Sequence, residues 1–189
     1  EKGEIEFKNV SFRYYKNSED KALDNISLHI DAGETVGIIG STGSGKSSLV
    51  NLIPGFYDAT EGEVRIFGKE IHSYSEAGLR EKIGVVPQRA VLFRGTVREN
   101  LAWGDSNAVA AQMIRALDIA QARGVVEEKG GLDAMIEQGG KNLSGGQKQR
   151  LTIARAIVGS PKILILDDSA SALDYATDAA LRRALREMD

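Results

Sequence analysis

Gly40-Ser41-Thr42-Gly43-Ser44-Gly45-Lys46-Ser47 is a run of glycines and small hydroxyl residues that ends in a cation and a serine. It fits the pattern G-x-x-x-x-G-K-[ST]. Glycines let the chain bend so tightly that successive backbone N–H groups, here from Ser41 to Ser47, can line one concavity for a phosphate. A helix starting directly afterwards adds its positive end. Lys46 is placed to bridge the β- and γ-phosphates of a nucleoside triphosphate, and the Ser47 hydroxyl is a hard oxygen ligand for Mg²⁺.

Two further groups complement this turn. Ile163-Leu164-Ile165-Leu166-Asp167-Asp168 is an apolar run that ends in two carboxylates, which puts them at the C-terminal end of a buried strand, where ligands of open α/β sheets sit. Asp167 can hold Mg²⁺ through water, and Asp168 can orient or polarise an attacking water. The plainer reading is helix capping by an aspartate after a strand, and it weighs more on Asp168 than on Asp167. Leu143-Ser144-Gly145-Gly146-Gln147 combines a serine cap, two glycines and a following helix, a second anion-binding helix end. One phosphate turn already serves one triphosphate. The second end is therefore expected to complete a site on another subunit, with an ordinary cap as the bland alternative.

These groups need elements to hold them. Val36 to Ile39 reads as a buried strand running into the glycine turn, within a stretch that begins at Glu34. Leu49, Leu52, Ile53 and Phe56 follow helical spacing after it, and Pro54 kinks or ends that helix because it has no N–H to donate. Ile5 to Tyr14 reads as a strand with Val10, Phe12 and Tyr14 on one face; Ile26 to Ile30, Glu63 to Phe67, Ile83 to Val86 and Lys162 to Leu166 are further strands. Residues 106–122 read as a helix with Val109, Ala110, Met113, Ile114 and Leu117 inward. Residues 144–158 form another, with Leu151, Ala154, Ile157 and Val158 inward, and 177–188 a last one. Buried strands alternating with helices predict an α/β core with a mostly parallel sheet, an antiparallel layer at its N-terminal edge and a helical lobe over 89–150.

Composition narrows the classes. The chain has 189 residues, 42% hydrophobic, with no cysteine and a formal charge of −3. Disulfides and cysteine-ligated metals are excluded, and the charge gives no support for a nucleic-acid-wrapping surface. No stretch of 18 apolar residues occurs and no N-terminal segment resembles a signal peptide, so a membrane role would have to come through a partner or through further chain.

Taken together, Gly40–Ser47, Leu143–Gln147 and Ile163–Asp168 resemble the nucleotide-binding domain of ABC transporters. Phe12-Arg13-Tyr14, the stretch Val91–Asn100 and Ser171-Ala172-Leu173-Asp174 are similar to the exporter branch, which moves drugs and lipids. The resemblance covers residues 1–189. It implies a P-loop NTPase (RecA-like) core over 1–88 and 151–189 and a helical subdomain over 89–150. It implies ATP and Mg²⁺ as ligands. ATP would be gripped by Gly40, Ser41, Thr42, Gly43, Ser44, Gly45, Lys46, Ser47 and Ser48, with Tyr14 stacked on adenine. Ser47, Gln88 and Asp167 would face the Mg²⁺, and Lys46, Gln88 and Asp168 would serve hydrolysis. Ser144, Gly145, Gly146 and Gln147 would contact the γ-phosphate held by a partner, with Asp174 at the dimer contact. The partners implied are a second nucleotide-binding domain and transmembrane helices, at the cytoplasmic side of the membrane.

Two departures qualify this. Members of that family usually carry Glu where this chain has Asp168, and the shorter arm resembles the degenerate site of a heterodimeric exporter. The family's switch histidine lies beyond Asp189, and His29 and His72 read as solvated, so the expectation is a C-terminally truncated domain with weak ATPase activity by itself. Two other functions compete: a slowly hydrolysing or non-hydrolysing regulatory module, favoured by Asp168, and a soluble ABC-type ATPase acting on DNA or ribosomes. The acidic balance and the absence of a long insertion between Gln88 and Leu143 oppose the latter, and no nucleic-acid partner is expected.

Overall fold

The computed structural model describes residues 4–15, 18–168 and 171–188. They fall into two compact units, residues 1–83 and 84–189.

The first unit is built on a four-stranded antiparallel sheet in the order β2-β1-β3-β4. β1 spans Ile5–Phe12, β2 Leu23–Ile30, β3 Glu61–Ile66 and β4 Lys69–Glu70. This is the antiparallel layer expected from the alternating early strands. The alternation is interrupted: Ile5 and Phe7 are buried, and then Val10 and Phe12. Four residues of β1 (Phe7 to Val10) span three of β2 (Leu28 to Ile26), and Asn9 takes a left-handed φ of 48°. A one-residue bulge of this kind restores the apolar face after the slip. Helix α1 (Lys46–Leu52) follows the glycine turn, and α2 (Glu76–Arg80) starts on a Ser75 cap. Ile53 closes α1 directly before Pro54, as the missing N–H requires.

One expected strand is not formed. Residues 34–39 join no ladder among the described residues, and Val36, Ile38 and Ile39 are 47%, 42% and 98% exposed. An apolar run supplies side chains for a buried strand but no partner edge, and the sheet of this unit pairs neither β2 nor β4 with that segment.

The second unit centres on α6 (Gly145–Ile157). Leu151, Thr152, Ile153 and Ala154 are consecutive and all at most 2% exposed, so this helix is enclosed on several sides rather than on the single face its apolar spacing suggested. α3 (Val97–Ala102) and α4 (Ala110–Ile119) pack on it, and α7 (Tyr175–Arg186) packs on α4. Fully burying a side chain such as Ile153 or Leu117 contributes about 1.5–3 kcal/mol. α5 (Arg123–Glu128) and the short pair β6 (Gly95–Thr96) and β7 (Met135–Ile136) complete this lobe. Val109 was expected inward but is 60% exposed. It is the residue before α4, with extended backbone, so the helical period does not govern it.

Asn100 is buried and holds the preceding turn together. Its Oδ1 accepts the Phe93 N–H at 2.9 Å, and its Nδ2 donates to the carbonyls of Phe93 at 2.9 Å and Thr96 at 3.0 Å. β5 (Ile83–Val86) and β8 (Ile163–Leu166) pair, and the Asp167 N–H donates to the Val86 carbonyl at 3.0 Å. That bond sets the C-terminal ends of both strands side by side.

Candidate functional site

The phosphate-turn residues lie in the first unit. Gly43 and Gly45 take φ of 80° and 91°, a region that costs glycine nothing and other residues a good deal. At Gly45 a Cβ would also run into the Ala22 carbonyl, so both backbone angle and space exclude a side chain. The loop is compact: the Ser44 N–H donates to the Ser41 carbonyl at 3.1 Å, and Leu49 donates back to Gly45 at 2.9 Å as α1 begins. The Lys46 ammonium folds over the loop, donating to the carbonyls of Gly40 at 2.6 Å and Ser41 at 2.9 Å. Its charge is thus held at the mouth of the turn, in bonds it can exchange for phosphate oxygens. Gly40, Ser41, Thr42, Gly43 and Ser44 are exposed, as is Ser47, while Ser48 is buried in the first turn of α1.

Tyr14 stands beside this helix. Its hydroxyl and Ser48 Oγ share a 2.7 Å hydrogen bond. Its ring meets Phe12 and Tyr57 edgewise at 4.8 and 5.4 Å, yet 52% of the residue is exposed.

The carboxylates, Gln88 and the serine-led helix lie in the second unit. Gln88 follows β5 and Asp168 follows β8; the Gln88 amide donates to Asp168 Oδ2 at 3.4 Å, a long bond. Asp168 is exposed and has a φ of 48°, a conformation aspartate adopts more readily than most residues. Asp167 is half-buried and anchored through its N–H to Val86.

Ser144 caps α6. Its Oγ accepts the Gln147 N–H at 3.2 Å, and the Gln147 side-chain oxygen accepts the Ser144 N–H at 3.0 Å. This reciprocal box satisfies two orphan donors. It uses the acceptor side of the serine hydroxyl and leaves its proton to be donated outward. A Cβ on Gly146 would stand 3.0 Å from the Ala172 carbonyl, so the glycine admits the 171–174 segment against the helix start. Asp174 caps α7: Oδ1 accepts the Thr177 N–H at 2.9 Å and Oδ2 its hydroxyl at 2.8 Å. Those bonds hold its carboxyl below the usual carboxylate range.

Arg150 is a member the sequence reading missed. Its guanidinium donates to the Gln121 carbonyl at 2.8 Å and the Gly146 carbonyl at 3.3 Å, tying the first turn of α6 to the end of α4. The available signal was a cation four residues after Gly146, on the same helix face. Among the described residues no group of three or more His, Asp or Glu side chains could hold a metal by itself. Within the second unit Gln88 and Asp167 offer an amide oxygen and a carboxylate, and within the first Ser47 offers a hydroxyl, each the hard oxygen type that Mg²⁺ prefers. No helix is long and apolar enough to cross a membrane among the described residues.

A family model described as ABC transporter matches residues 23–171. The ABC transporter ATP-binding protein YfiB of Bacillus subtilis (strain 168) is 46% identical over 97% of this chain and 32% of its own length. The ATP-dependent lipid A-core flippase of Haemophilus influenzae (strain 86-028NP) is 42% identical over 99% of this chain and 32% of its own length. A solved structure, that of a bacterial Atm1-family ABC exporter with ATP bound, matches with a TM-score of 0.91 and 35% identity over 98% of this chain and 32% of that one. The chain thus spans about a third of the length of these relatives. The fold is that of α/β P-loop NTPases, with parallel and antiparallel strands and a helical subdomain.

Proposed function

Because the chain belongs to the ABC transporter family, we propose that it is the ATP-binding and ATP-hydrolysing domain of an exporter, pairing head-to-tail with a second such domain on the cytoplasmic side of the membrane. The observation that carries this reading is the Ser144–Gln147 box: a hydroxyl pinned at a helix start with its proton still to give. The chain's own Gly40–Ser47 turn serves one triphosphate, so the outward-facing donor of Ser144 belongs to another protomer's γ-phosphate.

In this reading Lys46 and the backbone N–H groups from Ser41 to Ser48 hold the phosphates, and Tyr14 stacks on the base. Ser47, Gln88 and Asp167 would hold Mg²⁺, which when bound neutralises charge on the β- and γ-oxygens. Asp168, with the Gln88 amide beside it, would orient the attacking water. Core segments 1–88 and 151–189 carry the nucleotide, 89–150 forms the helical subdomain, and the loop of Gln88 relays motion to transmembrane helices. The partner is a non-identical subunit: Asp168 is one methylene short of glutamate, and a misplacement of about 1 Å costs on the order of 10²-fold in rate. This chain's own site then turns over slowly while its Ser144 end completes the partner's competent site. A purely regulatory, slowly hydrolysing module is the second reading, favoured by the same short arm.

The test is a binding and turnover comparison in the full protein. Lys46→Ala should abolish ATP binding at this chain's own turn. Ser144→Arg should leave binding there within about twofold while turnover collapses, since it removes a donor aimed at another site. Equal loss of binding in both variants would place Ser144 in this chain's own site and end the head-to-tail reading.

A further inference from the structure

The ATP reading above accounts for Tyr14 and for the phosphate turn separately. The hydrogen bond between them has no part in it. Ser48 is 5% exposed, in the first turn of the helix that starts at the phosphate turn. Tyr14 lies just past the end of β1, on a different element, and is half exposed. Their 2.7 Å O···O separation is the mode for hydroxyl pairs. The phenolic oxygen lies on the ring axis, so this bond fixes where the ring stands along α1 and leaves its spin free. The spin is limited instead by the edgewise contacts to Phe12 and Tyr57. Three constraints from three elements leave an exposed aromatic surface at a set position relative to Lys46 and Ser47.

Resting on that ATP reading, we propose that Ser48 is a positioning residue for the stacking of the nucleobase. Its hydroxyl anchors Tyr14 to the first turn of the helix that starts at the phosphate turn, with an exposed face left for a base to stack on. Without the anchor the ring wanders on the two edge contacts alone, and stacking must then fix it at the moment of binding. A phosphate-only ligand does not touch the ring, so its affinity is independent of the anchor.

The experiment compares ATP with inorganic tripolyphosphate, each competing against a fluorescent ATP analogue, on the full protein and its Tyr14→Phe, Ser48→Ala, Ser48→Thr and Tyr14→Phe/Ser48→Ala variants. Tyr14→Phe keeps the ring and loses the bond. Tyr14→Phe and Ser48→Ala should each weaken ATP by about three- to tenfold, the range of one net hydrogen bond. The double variant should be no worse than either single one, because both remove the same bond. Ser48→Thr, which keeps a hydroxyl, should restore ATP affinity, and tripolyphosphate should change less than about twofold throughout. Additive losses, an unchanged Tyr14→Phe, or a Ser48→Ala that loses tripolyphosphate as much as ATP would each overturn the assignment. The last outcome would show the hydroxyl serving phosphate instead. Failure of the unaltered protein to bind ATP at all would mark the ATP reading itself as wrong, and this assignment with it.

Discussion

Ser144 and Gln147 cap each other at the start of α6, the hydroxyl taking the Gln147 N–H at 3.2 Å and the glutamine oxygen taking the Ser144 N–H at 3.0 Å. The arrangement separates two jobs that one serine can do, holding the helix and donating to a ligand. Aspartate matches serine as a cap but has no proton to give at neutral pH. Ser144→Asp is therefore expected to keep the thermal midpoint near that of the unaltered protein while hydrolysis in the full assembly falls by about 10²-fold, the cost of losing one positioned donor. Ser144→Ala should lose both, with about 1 kcal/mol of helix stability gone. Melting curves and turnover on the same preparations check this; full activity in Ser144→Asp would reduce the serine to a cap.

Asp168 predicts an asymmetry. Under the proposed pairing with a non-identical subunit, in which this chain's own site is the slow one, Asp168→Ala in the full protein should retain most of the turnover, whereas Ser144→Arg should lose it. Asp168→Glu should raise turnover at that site by restoring the missing methylene. Steady-state phosphate release reads all three, and equally severe losses from Asp168→Ala and Ser144→Arg would refute the division of labour.

Asn100 makes three hydrogen bonds from a buried position to the backbone of Phe93 and Thr96. Asn100→Ala strands the Phe93 N–H and two carbonyls, so a loss of about 1–3 kcal/mol is expected in denaturant titration. Asn100→Asp keeps the acceptor for Phe93 but turns a donor into a second acceptor facing carbonyls, and should be as damaging or worse. A neutral Asn100→Ala would mean that the turn is held by other contacts.

His29 sets a pH dependence. Its ring bonds to Asp31 at 2.9 Å, and that bond, helped by the charges of Asp31, Glu4 and Glu6, raises its pKa above the ordinary 6.5 against the opposing effect of desolvation. A folded-state pKa above the unfolded one adds stability that is fully present below about pH 6.5 and fades as pH rises through the folded value. Asp174 runs the other way: its carboxyl is held low by Thr177, so its contribution is present above about pH 4 and lost as pH falls through the folded value. NMR titration should find His29 above 6.5 and Asp31→Asn should bring it down; an unmoved His29 in that variant would contradict the cause named here.

Motifs whose chemistry is local were legible in the sequence. Glycine at 43 and 45, a serine three residues before Gln147 and aspartates after an apolar run each specify a turn, a cap or a strand end by themselves, and each is found as such. Partners across the fold were not legible. Nothing in Val36–Ile39 says which edge would receive it, nothing in Arg150 names the Gln121 carbonyl, and Ser48 gives no sign of Tyr14. The Asn9 bulge left a trace in the sequence, the break of period two between Phe7 and Val10, but the register to β2 and β3 was needed to place it. Asp174 illustrates the remaining limit: its residue type suits both a helix cap and a contact to a partner, and the cap is the role seen within one chain.

The most direct measurement is a structure of the full assembly trapped with ATP, in which the distance from Ser144 Oγ to each phosphate is read. The account predicts hydrogen-bond contact, about 3 Å or less, with the γ-phosphate of a nucleotide held by another protomer's glycine turn. A closed, nucleotide-filled assembly in which Ser144 touches no phosphate, or only the one gripped by its own Lys46, would contradict it.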